Sequence, residues 1–426
     1  MSKKNRLLPL INIFCKNILI LVFLQLVYSD LLSQNNTTSP YSLYGVGDLE
    51  PVGFGKIQAM GGAGFGLSSK GFLNNTNPAS YNGIDSSASV FEIGVFGKKT
   101  KFTSSVRERT DYLANFNYLA MGFKVYNWWG MSLGIVPFSS VGYKIASVET
   151  IDGSNVPYVI VREGSGGLTQ CYLSNSFRIF KNLSIGINTS ALFGPLIQTI
   201  TYYVNNTTTP VVLGENDYTL HRIYLDYGLQ YRFKIKGLNY TLGAVFANNQ
   251  YLKSKNTNKL YLSNGDTLIT GTKALEDFTI PGKIGLGLAV TKDNKFTADL
   301  DYSAQFWSNK QPLGEAANLV NSQQINFGME YAPSDYLRKQ YMKIMSYRLG
   351  GYYKATYLEL RGQQIKQYGA VVGLAFPINS LHSVVNFSFE LGQRGDNSNG
   401  LIKENYYMIH IGFTLIESWF NRRKYE

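Results

Sequence analysis

Residues His221–Ile235 read HRIYLDYGLQYRFKI. Every second residue is apolar: Ile223, Leu225, Tyr227, Leu229, Tyr231, Phe233 and Ile235. Between them stand Arg222, Tyr224, Asp226, Gly228, Gln230, Arg232 and Lys234. In an extended chain successive side chains point to opposite faces, so this stretch has one greasy face and one wet, charged face. A soluble sheet resting on a core would show the same alternation. The rest of the chain decides between the two, because similar stretches recur about fourteen times with nothing helical between them.

The alternating segments fall near 87–98, 113–125, 129–150, 159–180, 183–204, 215–235, 238–252, 281–291, 295–307, 320–332, 341–357, 363–377, 382–393 and 404–415. Tight links near Asn127, Lys181-Asn182, Lys236-Gly237, 292–294 and 378–380 alternate with longer ones near 99–112, 151–158, 205–214, 253–280, 308–319 and 394–403, with residues 333–340 making one turn longer than this pattern predicts. That alternation predicts an all-β, antiparallel, up-and-down transmembrane barrel of about 14 strands, with short periplasmic turns and long outer loops. A soluble sandwich has no reason to segregate its links in this way. Trp128-Trp129, Trp307 and Trp419-Phe420 lie at strand ends, where interface aromatics are expected.

Composition fits a barrel. Among 426 residues there are 31 Tyr, 25 Phe and 42 Gly but only 2 Cys. A mean hydropathy of -0.11 is no obstacle, since only alternate residues of a membrane barrel face lipid. Residues 1–33 read as a secretory leader, with Lys3, Lys4 and Arg6 ahead of the apolar run Ile18–Tyr28 and cleavage near Ser33 or Gln34. No apolar run of helix-spanning length follows it. The formal charge is +12, and removing Lys3, Lys4, Arg6, Lys16 and Asp30 with the leader leaves +9. The basic residues are scattered over turns and wet faces, which speaks against nucleic acid and for anionic lipid or lipopolysaccharide as the counter-charge. Cys15 lies in the leader, so Cys171 has no disulfide partner. His221, His382 and His410 are far apart, no metal motif is present, and no cofactor is expected. His410 and Ser388 both alternate inward, but each reads as solitary, so no enzyme is expected.

Residues 34–86 differ from the rest. They are rich in Gly, Ser and Asn and show no sustained alternation. They contain SPYSLYGVGDLEP (39–51), AMGGAGFG (59–66) and NNTNPASYNGID (74–85). Gly61, Gly62 and Gly64 lack the Lys-Ser/Thr of a phosphate loop and suit tight packing in a confined space. AMGGAGFG followed by Asn77-Pro78-Ala79 and a run of barrel strands resembles the FadL/OMPP1/TodX family of outer-membrane transporters. The opening SPYSLYGVGDL and the ending ESWFNRRKYE resemble its Bacteroidota members, which include PorV-like relatives. The resemblance implies that residues 34–86 fold into the lumen as a plug, with Asn77, Pro78 and Ala79 forming a turn in it. The expected organisation is leader 1–33, plug 34–86, barrel 87–416 and a basic tail 417–426.

Within the barrel, Arg222, Asp226, Arg232, Lys234, Asp299, Asp301 and Glu390 are expected to line the lumen and pair with one another and with the plug. Pro137 interrupts the third strand and cannot donate to the ladder, so a bulge or kink is expected there. In the resembled family a kink in the third strand opens the wall sideways, which makes Pro137 a candidate lateral gate. Tyr41, Tyr44, Phe54, Phe65, Phe72 and Tyr81 either line an apolar pocket or pack the plug. Two functions fit. One is passive uptake of a hydrophobic or amphipathic small molecule across the outer membrane. The other is a structural subunit of a larger outer-membrane complex, in secretion or barrel assembly, whose other proteins dock on the loop 253–280 and on Arg422-Arg423-Lys424.

Overall fold

The computed structural model describes residues 39–418, apart from 87, 151–152, 154–155, 205–211, 263, 275–277, 309, 311–316, 334–340 and 379–382. The leader 1–33, the tail 417–426 beyond Ser418, Trp419-Phe420 and His382 lie outside the described residues.

The wall is a closed antiparallel barrel of 14 strands. In chain order they are β1 (Ala88–Thr103), β2 (Glu108–Tyr126), β3 (Trp129–Thr150), β4 (Pro157–Arg178), β5 (Leu183–Val204) and β6 (Val212–Ile235). β7 runs Leu238–Ala247 and, after a break at Asn248-Asn249, Gln250–Leu262. β8 returns in three pieces, Thr267–Ala274, Phe278–Ile280 and Lys283–Lys292. The ring is completed by β9 (Phe296–Gln305), β10 (Ser322–Tyr331, with Asn318–Leu319 above it), β11 (Ser346–Leu360), β12 (Gln363–Ile378), β13 (Ser383–Arg394) and β14 (Lys403–Ser418). β14 pairs with β1 from Lys403↔Thr103 to Ser418↔Ala88, which closes the ring. The ring has no terminal strand, so most wall backbone pairs from strand to strand, as hydrocarbon requires.

The alternation behaves as hydrocarbon requires. Leu229, Leu242, Leu286, Leu300, Phe327, Leu349, Val372, Phe389 and Ile411 all stand exposed on the outer face, Leu286 by 66%. Their neighbours along each strand point into the lumen. So many exposed large apolar side chains, distributed around the ring, form a band suited to lipid.

Several expected links turn out to be strand. Pairing of β1 with β2 continues to Thr103↔Glu108, so the link expected over 99–112 shrinks to residues 104–107. The expected loop 253–280 is mostly a hairpin, since upper β7 pairs with upper β8 from Lys255↔Ala274 to Tyr261↔Thr267. The wall is therefore uneven. β3, β4 and β5 have 22 residues each and β6 has 24, whereas β9 and β10 have 10 each. At roughly 2.5 Å of height per tilted residue, ten residues just cross an apolar band of about 25 Å, and the long strands rise some 30 Å beyond it. Trp128 and Trp129 stack with Tyr126 and Phe177 at the tight-turn end. Trp307 does not join an interface belt. It is buried in the lumen and stacks on Tyr357 with ring centroids 4.4 Å apart.

Candidate functional site: the inner segment and its contacts with the wall

Residues 39–86 contribute little regular structure: a 3-10 turn at Pro40–Leu43, a two-residue strand at Asp48–Leu49, one helical turn, α1 (Gly55–Ala59), and a second 3-10 turn at Pro78–Gly83. Such a chain satisfies part of its own backbone, and the wall supplies further partners. Glu92 of β1 accepts from Leu73 N at 2.9 Å, and the Tyr118 phenol of β2 accepts from Gly55 N at 2.9 Å. Ser176 of β4 donates to Ala79 O at 2.8 Å. Gln230 of β6 donates to Phe65 O and Leu67 O, both at 3.0 Å. Asn326 of β10 donates to Gly61 O at 2.6 Å. These partners sit on opposite sides of the ring, so the segment lies inside it.

The Asn77-Pro78-Ala79 turn is packed closely against the wall. Asn77 Oδ1 caps the 3-10 turn by accepting from Ala79 N at 3.0 Å. Its Nδ2 donates to Phe65 O at 2.9 Å and to Leu229 O at 3.1 Å. The turn seats on two wall glycines that face each other across the β5–β6 ladder, Gly186↔Gly228. A Cβ on Gly228 would stand 2.1 Å from Asn77 Oδ1, and one on Gly186 would stand 2.3 Å from the Pro78 carbonyl carbon. Gly61 (φ +66°) and Gly62 (φ +82°) turn the chain through the left-handed region after α1. Gly64 N and Phe65 N converge on Asp301 Oδ2 at 2.7 and 3.0 Å.

The charged residues named from sequence divide into groups. Asp301 holds the inner segment, and Asp299 is buried beside it on the same face of β9. Asp226 accepts from Asn188 Nδ2 at 2.9 Å, Arg232 Nη2 donates to Ser184 at 3.2 Å, and Glu390 accepts from the Tyr352 phenol at 2.6 Å. These three thus bond to the wall. Arg222 and Lys234 are exposed. Other polar anchors escaped sequence reasoning. Lys56 pairs with Glu330, which also accepts from Arg348 Nε at 2.8 Å. Asp48 pairs with Arg394 at 2.8 Å, and Ser39 Oγ donates to Glu404 at 2.5 Å.

Near Pro137 the two ladders of β3 behave differently. Toward β4 the pairing is unbroken apart from a register shift between Pro137 and Ser139. Toward β2 it ends at Leu119↔Ile135. Beyond that rung the inner segment takes the edge of β3. Leu49 and Asp48 pair with Ser139 and Ser140. Ser39 N donates to Gly142 O at 3.0 Å, and Glu50 N donates to Phe138 O at 3.1 Å. Residues 39–50 form a strap over this seam.

The family model described as BamG matches residues 14–426. The chain belongs to the BamG family. No curated protein matches it. Its fold is similar to those of solved hydrocarbon transporters. The Ralstonia pickettii toluene transporter TbuX aligns with a TM-score of 0.59 at 13% identity, over 86% of this chain and 98% of that one. A Pseudomonas aeruginosa FadL homologue gives 0.60 at 11% identity, over 87% and 99%. The P. putida toluene transporter TodX gives 0.58 at 13% identity, over 88% and 100%. This BamG-family chain thus has the FadL-type barrel that its motifs resemble.

One reading of isolated residues needs correction in the BamG-family barrel. Ser388 and His410 are not solitary. The β13–β14 register sets them directly opposite each other, and His410 Nε2 lies 3.3 Å from Glu390 Oε2. All three side chains are buried in the wall, and His410 Nδ1 has no hydrogen-bond partner. Among the described residues no hydrogen bond joins Ser388 to His410.

Proposed function

We propose that this barrel takes up a hydrophobic or amphipathic small molecule into an apolar layer of its lumen and releases it sideways between β2 and β3, with the inner segment as plug. The layer itself carries the reading. Tyr41, Leu43 and Val46 of the strap pack with Leu192, Leu196, Leu220, Tyr224, Leu252, Trp307, Tyr357 and Leu358 in one buried cluster. A water-filled pore has a polar interior. This interior is greasy next to the seam, since Val141 and Tyr143 of β3 belong to the same cluster. Pro137 marks where β3 leaves β2, and movement of the strap is the opening step.

Joining Leu49→Cys to Ser139→Cys across their shared rung tests this. Oxidised protein in vesicles is expected to lose transfer of toluene or a medium-chain fatty acid, and reduction is expected to restore it. Equal transfer in both states would remove the strap from the mechanism.

The strap also carries a titratable group. Burial pushes the Glu50 carboxyl above its usual range, although Ser140 Oγ donates to it at 2.5 Å. A raised carboxyl pKa means the docked strap prefers protonated Glu50. Docking is then firmest at acid pH and weakens as pH rises through the raised value. Transfer is expected to increase across that window and to lose its pH dependence in Glu50→Gln. A pH profile that this variant leaves unchanged would assign the dependence elsewhere.

A second reading, a structural subunit of a larger outer-membrane complex, is favoured by membership of the BamG family and by the many contacts that tie the inner segment to the wall. Gentle extraction separates the two. Stoichiometric protein partners with no lipid-like ligand support the subunit. A single barrel carrying an extractable apolar molecule supports uptake. Export through a cleaved leader and residence in the outer membrane, among lipid and lipopolysaccharide, belong to both readings.

A further inference from the structure

We infer that the wall contains a side entry for single-chain amphiphiles between β6 and β7, latched by the Gln250 carboxamide. The inference rests on the uptake reading above and adds a way in, distinct from the strapped seam between β2 and β3.

β6 pairs with lower β7 from Ile235↔Leu238 to Tyr227↔Phe246, and with upper β7 from His221↔Lys253 to Val212↔Leu262. Between these ladders, residues 222–226 of β6 have no rung toward β7 among the described residues. On the other side β6 stays fully paired with β5 through the same residues, from Leu192↔Arg222 to Asn188↔Asp226. The interruption is therefore confined to one seam. A side chain fills it. Gln250 Oε1 accepts from Leu225 N at 2.7 Å, and Gln250 Nε2 donates to Leu225 O at 2.7 Å. One carboxamide makes both bonds that a facing residue's backbone would make in the ladder. Beside it, Asn249 Oδ1 accepts from Gly282 N at 2.7 Å, where β8 is also broken.

Backbone groups at membrane depth must be satisfied, and here side chains do it. The difference matters mechanically. A ladder rung opens only if its neighbours open. A glutamine swings away by rotating about its own bonds, which exchanges two hydrogen bonds of modest net worth for others. The gap can thus open without unzipping either ladder.

Its surroundings suit an amphiphile. On the lumen side Tyr224, Ala247 and Leu252 belong to the apolar layer. On the outer side Ile223, Phe246 and Tyr251 are exposed, each by more than half. Asn248 and Asn249 are exposed at the break. Tyr224 lies about twelve residues above the Lys236-Gly237 turn, which places it roughly 30 Å up, at the upper margin of an apolar band of about 25 Å. An acyl or aromatic body lying in the outer leaflet meets the gap with its polar head level with the amides.

The test uses the full chain in lipid vesicles, with the strap closed by the Leu49→Cys/Ser139→Cys disulfide so that the other seam is shut. A diazirine-bearing fatty acid is dissolved in the vesicle membrane, and photolabelling of lumen peptides is followed in time. Gln250→Ala is expected to raise the labelling rate of peptides containing Tyr224 and Leu252 several-fold, and Gln250→Glu, which loses the donor, to raise it as well. The heat-dependent shift of folded barrel on gels confirms that each variant is intact, and either one suffices if the other fails to fold. Labelling of folded variants at the wild-type rate would overturn the side entry while leaving uptake standing. Absence of lumen labelling in every form, with the strap open or closed, would overturn the uptake reading and the entry with it.

Discussion

Gly228→Val is expected to prevent the inner segment from seating, with loss of the folded, heat-resistant barrel from gels. The wall cannot retreat there, because β6 is laddered to β5 on one side and to β7 on the other at this level. Nor can the turn retreat. Asn77 is fully buried and holds Phe65 O, Leu229 O and Ala79 N at once. A Cβ placed 2.1 Å from Asn77 Oδ1 and 2.8 Å from Pro78 Cδ must break some of these bonds. Overpacking alone costs about 1–3 kcal/mol, and each orphaned buried polar group adds about 1–3 kcal/mol. Gly186→Val should behave alike. Gly97, on the same wall but with nothing within 4 Å of an added Cβ, supplies the control: Gly97→Ala is expected to leave the melting profile unchanged. Equal behaviour of Gly228→Val and Gly97→Ala would show that the turn is not gripped as described.

Glu330→Ala is expected to cost more than loss of its partner Lys56. The carboxylate serves Lys56 from the inner segment and Arg348 from β11, whose Nη1 also donates to Asn386 at 2.6 Å. Removing Glu330 leaves two cations facing each other in a site where water is scarce. Breaking a buried pair in this way costs about 3–5 kcal/mol. Replacing Lys56 by Met removes one charge and leaves the Glu330–Arg348 pair intact, so the loss should be smaller. The exposed Lys101–Glu108 pair on the hairpin between β1 and β2 provides the scale for a surface contact, about 0–1 kcal/mol. Urea unfolding in detergent, followed by tyrosine fluorescence at low and high salt, measures all three. An effect of Glu330→Ala no larger than that of Glu108→Ala would show that the cluster does not hold the segment in place.

The barrel was legible because hydrocarbon enforces a strict rule on alternate residues. Leu229, Leu300 and Ile411 must be apolar, and their neighbours are free to be otherwise. Above the lipid that rule lapses. Lys253, Lys255 and Lys259 stand on the outward face of upper β7, where water replaces lipid, so the period-two signal faded and a hairpin read as a loop. The candidate site was legible only in part. The Asn-Pro-Ala motif and the glycines around it marked the inner segment, but nothing in sequence said which wall residues would meet it. Gly186 and Gly228 lie about forty residues apart, and only the β5–β6 register makes them one notch. Parity along a strand says that Asp301 and Arg222 share a type of face. It does not say that one will meet two peptide N–H groups while the other stays exposed. Trp307 shows the same limit from the other side, since its place at a strand end said nothing about whether it turns toward lipid or toward Tyr357.

The uneven height of the wall governs how the mouth is approached from outside. β3 through β7 stand as a parapet on one flank, whereas β9 and β10 stop near the lipid surface. Large bodies arriving on the tall flank meet the Thr-rich and Lys-bearing hairpin of β7 and β8 long before they reach the opening. A body approaching this molecule therefore meets a different height of wall on each flank, and the barrel's rotational setting in the membrane decides which flank a neighbour faces.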